Sequence, residues 1–332
     1  MAPTSITKTF DELVTTTYEK YGHKFVMENV FEGNPLLKFL LAKDRYVATD
    51  GGSMILEPVA ISKNNTVAAI NAYDPINITP QDNATVAKYN YGMYAASVAI
   101  SDKEKAQNAG ECAIIDLLAF KIEMAANSIR DSLSQALYAN QDDSDNKSLI
   151  GLQKMVADSP TGVAFAGITD TAWDNQAFTL ATAGGGASFG TSSQGVKGMR
   201  YALKKCTYGA DVPDIIVTCE DVHTAYENAI GGTQQTLVPT GLGDLGFQTL
   251  QLSGIPVIWD RHIAGTAAAN TGRMYFLNTK HLKLRYHPSY NFTLSEGVRA
   301  PNTLATYWSI AWLGQLTSNS RRTQAVITTI NA

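Results

Sequence analysis

The longest regular pattern in the chain is a helical one, between residues 111 and 140. This stretch contains no glycine and no proline, and its apolar side chains recur at steps of three and four residues. Such spacing forms one stripe along a helix, made of Ile114, Leu118, Ile122, Ala125, Ile129, Leu133 and Ala136. The opposite face should meet water or a polar neighbour, and it carries Asp116, Lys121, Glu123, Asn127, Arg130, Asp131 and Ser134.

A helix of this length is better described as a spine than as an ordinary core helix. At ~1.5 Å per residue it would be roughly 45 Å long, well above the ~11–12 residues of an average helix. A coiled-coil seam is the main alternative, but the sustained heptads with charged flanking positions that it requires are missing. We therefore predict a single long helix laid across a sheet.

Extended segments precede this helix. Residues 53–61 and 85–100 have the pattern of two strands, and residues 62–83 between them are rich in the Asn, Asp and Pro of turns. We expect this tip to hold few apolar residues and to add little to the core of its own subunit. Because a lone two-stranded ribbon is marginal in water, the hairpin should lie on another surface, within this subunit or on the next.

The remaining segments flank these two elements. Residues 1–48 form no self-sufficient core and are predicted to be an arm that packs on something else. From Gly151 the pattern becomes mixed, with helices expected at 170–180, 192–205 and 219–230 and strands at 214–218, 254–259 and 273–286. Strands of alternating character close the chain, at 291–294, 303–316 and 323–330. We expect these late strands to return beneath the long helix and make its domain discontinuous.

Charge is sparse and unevenly distributed along the chain. Charged residues make up 17% of the 332 residues, which is below the usual quarter, and this favours a surface covered by other subunits. The net charge is −4, yet residues 273–332 hold seven basic side chains and one acidic one. We expect this basic segment, with Arg299, Arg321 and Arg322, to attract acidic groups of a neighbouring subunit. It contains no dense basic run with interleaved aromatic residues, so it does not predict a nucleic-acid interface.

The cysteines and the hydropathy of the chain predict a cytosolic product. Cys112, Cys206 and Cys219 are odd in number and lack metal or redox spacing, which is typical of buried thiols in a reducing compartment. No signal peptide opens the sequence, and no apolar run reaches the ~18 residues of a membrane span. We therefore predict no membrane partner.

One motif matches the nucleophile elbow of serine hydrolases. Residues 186–190 have the form G-x-S-x-G with Ser188 at the centre, and a predicted helix follows. The order Ser…Asp…His could then be completed by one aspartate and one histidine, from Asp214 or Asp260 and His262 or His287. However, the preceding strand at 178–182 is weak, no oxyanion motif of the HGGG type occurs, and glycine-rich matches arise easily in a chain with 26 glycines. A serine hydrolase using Ser188 is therefore only a remote alternative.

Other chemical motifs are weaker still. Gly241, Gly243 and Gly246 form G-x-G-x-x-G, but the dinucleotide fingerprint needs a strand before it and a helix after it, and here a strand follows. The acidic turn at 141–146 lacks the glycine and distal glutamate of a calcium loop. The histidines are scattered, without a ligand-like pair on a helix: His23, His223, His262, His281 and His287. We therefore predict no catalytic, cofactor-binding or metal-binding residues, no cofactor and no enzyme activity.

The order of the segments, together with several local phrases, resembles a known family. The phrases are NPLLKFL at 34–40, GGSMILEPVAISKNNT at 51–66, the long helix, PDIIVTCEDVHTAYENAI at 213–230, LQLSGIPVIWDRHI at 250–263, MYFLNTKHLKL at 274–284 and WLGQLTSNSRRTQAVI at 312–327. In this order they resemble the major capsid proteins of tailed bacteriophages, which have the Hong Kong ninety-seven-like capsid fold. The resemblance covers essentially the whole chain, although no single phrase is decisive.

This resemblance implies an α+β fold with named parts. They are an N-terminal arm at 1–48, the extended hairpin called the E-loop with its base strands at 49–100, the spine helix of the peripheral P-domain at 101–148, the α/β axial A-domain at 149–288 and returning P-domain strands at 289–332. Some relatives begin with a scaffolding segment that is later removed, whereas this sequence begins at the arm. Some relatives also form Lys–Asn crosslinks, but Lys63 and Lys88 have no identifiable partner asparagine.

The function implied is a mechanical one. The chain would assemble with itself into hexamers and pentamers that form an icosahedral shell around packaged double-stranded DNA, enclosed without specific recognition. A separate scaffolding protein, a portal and decoration proteins would be its other partners. Its location would be the virion, after assembly in the host cytoplasm. The main alternative on the same fold is the shell protein of an encapsulin-type bacterial nanocompartment.

Overall fold

The described part of the chain divides into two compact units. A computed structural model describes residues 35–41, 45–49, 51–107, 117–142, 144–145, 147–186, 188–190, 194–230, 250–263, 272–301 and 303–331. The first unit combines Met93–Leu133 with His287–Leu313, and the second combines Asn34–Gly92, Ser134–Tyr286 and Gly314–Ala332. Most of the predicted arm at 1–48 lies outside the described residues. The five-part division of the chain stays a prediction.

The helices follow the predicted pattern closely. They are α1 Pro35–Leu40, α2 Asp102–Gln107, α3 Leu117–Tyr138, α4 Leu152–Met155, α5 Leu180–Gly184, α6 Gln194–Cys206 and α7 Glu220–Ile230. The predicted helices at 192–205 and 219–230 are confirmed as α6 and α7. The predicted helix at 170–180 is wrong, because the chain there forms a 3₁₀ turn at Thr171–Trp173 and then a strand. That strand pairs with the end of the chain, a contact that helical spacing cannot reveal.

The long helix is confirmed as α3 over Leu117–Tyr138, while residues 111–116 lie outside the described residues. Its predicted stripe is buried at Ile129 and Leu133 but only partly buried at Ile122. Ser134 was expected to meet water or a polar neighbour, but this side chain is fully buried, and its hydroxyl has no hydrogen-bond partner among the described residues. Near its end the helix is buried on most sides, so the polar face narrows there and Ser134 falls inside.

The strands are named in chain order. They are β1 Tyr46–Ala48, β2 Ile55–Ala60, β3 Ala84–Tyr89, β4 Gly92–Ser101, β5 Gln176–Thr179, β6 Ile215–Thr218, β7 Leu250–Leu252, β8 Ile255–Trp259, β9 Gly272–Leu277, β10 Leu282–Leu294, β11 Val298–Arg299, β12 Ala305–Ser318 and β13 Ala325–Ile330. The single strand predicted at 85–100 is two strands, β3 and β4. The chain breaks between them because Gly92 passes so close to the Ser148 carbonyl that a Cβ there would lie 2.8 Å from it.

The described strands form three sheets. One has the order β1-β10-β12-β11 with β4 also paired to β12, one has the order β5-β13-β9-β6-β8-β7, and one is the pair β2-β3. The six-stranded sheet mixes parallel pairs, β5 with β13 and β6 with β8, with antiparallel ones. Its central strands are apolar on both faces, because α5 and α6 pack on β13, and α7 packs on β8 and β9. This sheet is the core of the second unit.

Polar contacts around α2 and an aromatic contact between two strands stabilise the first unit. Helix α2 begins with a reciprocal capping box, in which the Ser101 amide donates to the Glu104 carboxylate and the Glu104 amide donates to the Ser101 hydroxyl. Glu104 also pairs with Lys121 of α3 at 3.1 Å. Tyr94 of β4 and Trp312 of β12 pack with ring centroids 6.2 Å apart. The sequence Ser101-Asp102 by itself predicts a helix N-cap at Ser101, and the structure confirms it.

Candidate assembly surface

The β2–β3 hairpin is the element of the second unit that is least explained by folding of the subunit alone. Its antiparallel register runs from Ile55 opposite Tyr89 to Ala60 opposite Ala84. Side chains alternate between buried and exposed along β2, with Glu57 on the buried face and Leu56 on the exposed one. The strands therefore have one face toward the subunit and one face toward solvent.

The root of the hairpin is fixed by buried polar bonds. The Arg285 guanidinium donates to the Glu57 carboxylate at 2.6 Å, and the Thr317 hydroxyl donates to the same oxygen at 3.2 Å. The Tyr89 hydroxyl donates to the Ser318 carbonyl at 2.7 Å. Because a buried carboxylate without its partners would be costly, these bonds hold β2 and β3 in one orientation on the subunit.

The hairpin tip, residues 62–83, differs from its root in secondary structure and in hydrogen bonding. It has no regular secondary structure, and its hydrogen bonds are local. The Asn64 and Asn77 side chains accept bonds from the backbone and hydroxyl of the threonines two residues on, Thr66 and Thr79. The turn chemistry predicted for this segment is therefore confirmed, and within the described chain the side-chain hydrogen bonds of the tip join residues of the tip itself.

The expectation that the tip holds few apolar residues is wrong. Five large apolar side chains project from it and are exposed to 84%, 53%, 101%, 69% and 90%, in the order Val67, Ile70, Tyr73, Ile76 and Ile78. They were missed because one or two polar or small residues separate each from the next, so no sustained helical or strand period appears. A group of exposed apolar side chains on one projecting segment is typical of a surface that binds another protein.

The basic residues near the end of the chain are arranged differently from the prediction. Arg321 was expected to reach a neighbouring subunit, but it is 1% exposed and donates to the Met155 carbonyl within its own unit. Arg322 is exposed and lies over the Tyr208 ring at 4.7 Å. Arg299 pairs at 3.0 Å with Asp102, and both side chains are exposed. The sequence could not separate Arg321 from Arg322, because adjacent residues of the same charge in the turn between β12 and β13 differ only in which side they face.

The G-x-S-x-G segment has a packing role. Ser188 lies in a parallel β-bridge with Asn331, and the Phe189 amide donates to the Asn331 carbonyl at 2.8 Å. Phe189 is fully buried and packs edge-to-face on Tyr226. Helix α6 passes beside it at Gly195, where a Cβ would lie 2.4 Å from the Phe189 ring. The glycine-rich sequence therefore lets a buried aromatic side chain sit between loop and helix.

The aspartates proposed for a triad are engaged in structural bonds. Asp214 accepts from the Thr279 hydroxyl and pairs with Arg45 at 3.4 Å. Asp260 accepts from the Tyr138 hydroxyl at 3.0 Å. Burial, and next the Asp260 carboxylate, raise the pKa of Tyr138 well above its usual value. These bonds connect α3 and the strands of the second unit. They explain why both carboxylates are present without giving either a catalytic role.

The candidate histidines have local bonds of their own. The backbone amide of His262 donates to the Asp260 carboxylate at 3.0 Å. In the first unit, the His287 ring accepts from the backbone amide of Ser289 at 3.2 Å. Nothing in this geometry builds the proton relay that a serine nucleophile needs.

The remaining sequence motifs give no site in the described chain. The G-x-G-x-x-G glycines at 241–246 lie outside the described residues. In the acidic turn, Asp142 accepts from Ser144 and Asp145 accepts from the backbone amides of Lys147 and Ser148, and these bonds lower the pKa of both carboxyls. Among the residues with a described position, no group of three or more His, Cys, Asp or Glu could hold a metal ion. No described helix is both long enough and apolar enough to cross a membrane.

Comparison with solved structures identifies the architecture. The fold is similar to a chain of the cyanophage A-1(L) capsid asymmetric unit, with a TM-score of 0.65 and 16% identity over 93% of this chain and 96% of that one. It is also similar to the capsid of the native GTA particle, with a TM-score of 0.61 and 15% identity over 92% and 93%. No protein-family model matches the sequence, and no curated protein matches it.

A third similarity extends the comparison beyond phage heads. The SrpI encapsulin from Synechococcus elongatus PCC 7942, solved as its holo complex, matches with a TM-score of 0.59 and 10% identity over 100% of this chain and 97% of that one. The chain therefore has the α+β Hong Kong ninety-seven-like capsid fold, as its sequence phrases indicated. Identities this low show the fold and leave the function to be argued from the surfaces.

Proposed function

We propose that this protein is the major capsid protein of a tailed double-stranded DNA bacteriophage. Copies of the chain would assemble into hexamers and pentamers, and these into an icosahedral shell. Similar solved chains from phage capsids outnumber those from encapsulins, and they match over nearly the full length of this chain. In this assignment the hairpin is the E-loop, α3 is the spine of the P-domain, and residues 149–288 form the A-domain.

The observation that carries the proposal is the contrast between the two ends of the hairpin. Its root is bonded to the subunit through Glu57 and Tyr89, while its tip presents Val67, Tyr73 and Ile78 to solvent. A fixed arm with an apolar end contributes nothing to the subunit that bears it. When such an arm docks on a different patch of an identical copy, the contact is heterologous, and repeated heterologous contacts close into rings.

The charge of the chain bears on how DNA would be held inside the shell. With a net charge of −4 and no dense basic run, the subunit has little to bind phosphates tightly, so DNA would be held by enclosure. The remaining partners are those of a phage head: a separate scaffolding protein, a portal and decoration proteins. The protein would then reside in the virion and pass through the host cytoplasm during assembly.

An encapsulin-type compartment is the second candidate, because the SrpI encapsulin covers 100% of this chain at a TM-score of 0.59. The two candidates differ in what the shell encloses. A phage head contains double-stranded DNA, whereas an encapsulin shell contains a protein cargo. Serine hydrolysis through Ser188 is not proposed, because Ser188 and both aspartates serve structural contacts.

Electron microscopy of the purified protein tests the shared part of the proposal. Closed shells or capsomer-sized rings are expected, and a monodisperse monomer at high concentration would contradict both candidates. Particles isolated from the native host then separate the two. Nuclease-protected DNA inside them supports the phage capsid, while a co-purifying protein without DNA supports the compartment.

A further inference from the structure

A half-open cavity of about 240 Å³ lies in the second unit, away from the hairpin tip. Its lining combines an apolar wall, which includes Val163 and Phe165, with the cations Lys154, Arg273 and Arg321. One carboxylate, Asp158, also lines it. The cavity is far larger than the ~10–15 Å³ that a single water needs, so it can hold an organic group as well as water.

Arg321 is held rigidly at this cavity. Its Nε donates to the Met155 carbonyl at 2.7 Å, and one Nη donates to the Asn175 amide oxygen at 2.9 Å. Asn175 is fixed in turn by bonds to both backbone groups of Ala157. The guanidinium plane also stacks on the Phe165 ring, with 4.2 Å to its centroid. The side chain therefore cannot turn away from the cavity without breaking several contacts.

The charge of Arg321 is not matched by a bonded anion. Its second terminal nitrogen, Nη1, is buried and has no hydrogen-bond partner among the described residues. The other cations of the lining are already paired, Arg273 with Asp158 at 2.8 Å and Lys154 with Asp142 at 3.5 Å. Asp174 acts on Arg321 only through space, and burial lowers the pKa of Arg321 to about 10. A buried cation with an open donor is costly, which favours an anion that supplies the missing acceptor.

We propose that this cavity is a binding site for a carboxylate-bearing ligand, with Arg321 as its anchor. Because Nη1 is buried, a carboxylate can accept from it when side chains of the cavity lining shift on binding, while the carbon chain behind it contacts the apolar wall at Val163 and Phe165. A bare inorganic anion would use the guanidinium but leave that wall empty. The natural carboxylate comes either from an acidic side chain of a neighbouring copy or from a free organic acid. The site itself does not depend on the proposed capsid function.

Calorimetric titration of the unassembled full-length chain tests this site. The probe is the α-amide of N-acetylglutamate, which presents one side-chain carboxylate, and its neutral isostere is the α-amide of N-acetylglutamine. We expect the carboxylate to bind and the carboxamide to bind at least about tenfold more weakly, as loss of a charged hydrogen bond implies. Absence of carboxylate binding, or equal binding of the two probes, would overturn the proposal.

Three variants locate the binding. Arg321→Met should weaken binding of the carboxylate at least about tenfold, while Arg322→Met, the matched removal of an exposed neighbouring charge, should leave it unchanged. Ala164→Phe adds bulk at the exposed rim of the cavity without altering Arg321, so it should also abolish binding. This third variant decides the question if Arg321→Met does not fold. Wild-type affinity in Ala164→Phe, or an equal loss in Arg322→Met, would place the binding elsewhere.

The same titration on assembled particles separates the two sources of the carboxylate. Binding to free subunits but not to particles supports an acidic side chain of a neighbouring copy, because assembly then fills the cavity. Binding to both supports a free organic acid. Failure to assemble would refute the proposed function but leave the titration on the free chain valid.

Discussion

The apolar side chains of the hairpin tip provide the sharpest test of how the subunits associate. We consider the variant Val67→Ser, Ile76→Ser, Ile78→Ser, which removes three side chains that are 84%, 69% and 90% exposed. Because they contact so little of their own subunit, the free energy of unfolding should change by no more than ~0.5 kcal/mol per site. The cooperative melt and the far-ultraviolet spectrum should therefore match those of the wild type.

The effect on assembly should be much larger. Burying a Val or Ile side chain contributes ~1.5–3 kcal/mol, so the exposed fractions of these three correspond to roughly 4–7 kcal/mol for each docked tip. Losses of freedom on association reduce this value. If only a third of this free energy remains after those losses, removing the three side chains still lowers the affinity of the contact by at least about tenfold, since each ~1.4 kcal/mol is a factor of ten. A shell multiplies that loss over many identical contacts.

The critical concentration for particle formation, measured by light scattering and sedimentation, reports this loss. It should rise by at least about tenfold in the serine variant. The matched control, Val67→Leu, Ile76→Leu, Ile78→Leu, keeps the apolar surface and should assemble near the wild-type concentration. Normal assembly of the serine variant would remove the tip from the assembly mechanism. Loss of the folded state would instead place these side chains in the core of the subunit.

Three further outcomes are expected. Leu133→Asp in α3 places a charge at a side chain only 2% exposed, so it should cost several kcal/mol and leave insoluble protein, whereas the exposed Ser132→Asp should stay soluble. Glu57→Gln removes the buried charge that Arg285 pairs with, and hydrogen exchange of the β2 and β3 amides should become faster while the six-stranded sheet stays protected. Burial raises the pKa of the Cys206 thiol to about 12, so maleimide at pH 8 should label it only as the protein unfolds; rapid labelling of Cys206 in the folded chain, located by mass spectrometry of peptides, would contradict this burial.

Local periodicity was enough to predict much of the fold. The stripe of α3 and the apolar runs of β6 and β8 lie within single segments, so the sequence contains their whole pattern. The capping box at Ser101 and Glu104 is also local, and it was partly predicted. The order of these segments then sufficed to indicate the capsid fold.

Two of the errors have a different origin, which is contact between distant segments. The break between β3 and β4 depends on Ser148 and on Gln315, whose side-chain amide donates to the carbonyls of Asn90 and Ser148. The burial of Arg321 depends on the Met155 carbonyl, 166 residues away. No pattern of polar and apolar positions encodes such partners.

The candidate site was predicted in part. Turn residues located the hairpin tip correctly, but the importance of its apolar side chains emerged only from their exposure. The cavity at Arg321 left no signal in the sequence, because its lining comes from residues between Asn140 and Arg321 that approach each other only after folding.

The residues of the hairpin tip also affect how the protein should behave at high concentration. Exposed apolar segments with strand propensity tend to stack into cross-β fibrils. Here Pro75 and Pro80 interrupt the apolar series, and the asparagine turns bend the backbone away from an extended edge. The exposed side chains of the tip can thus bind an apolar surface. Its bent backbone does not present an extended edge to which another strand could be added. We therefore expect the concentrated protein to form no amyloid fibrils through this segment.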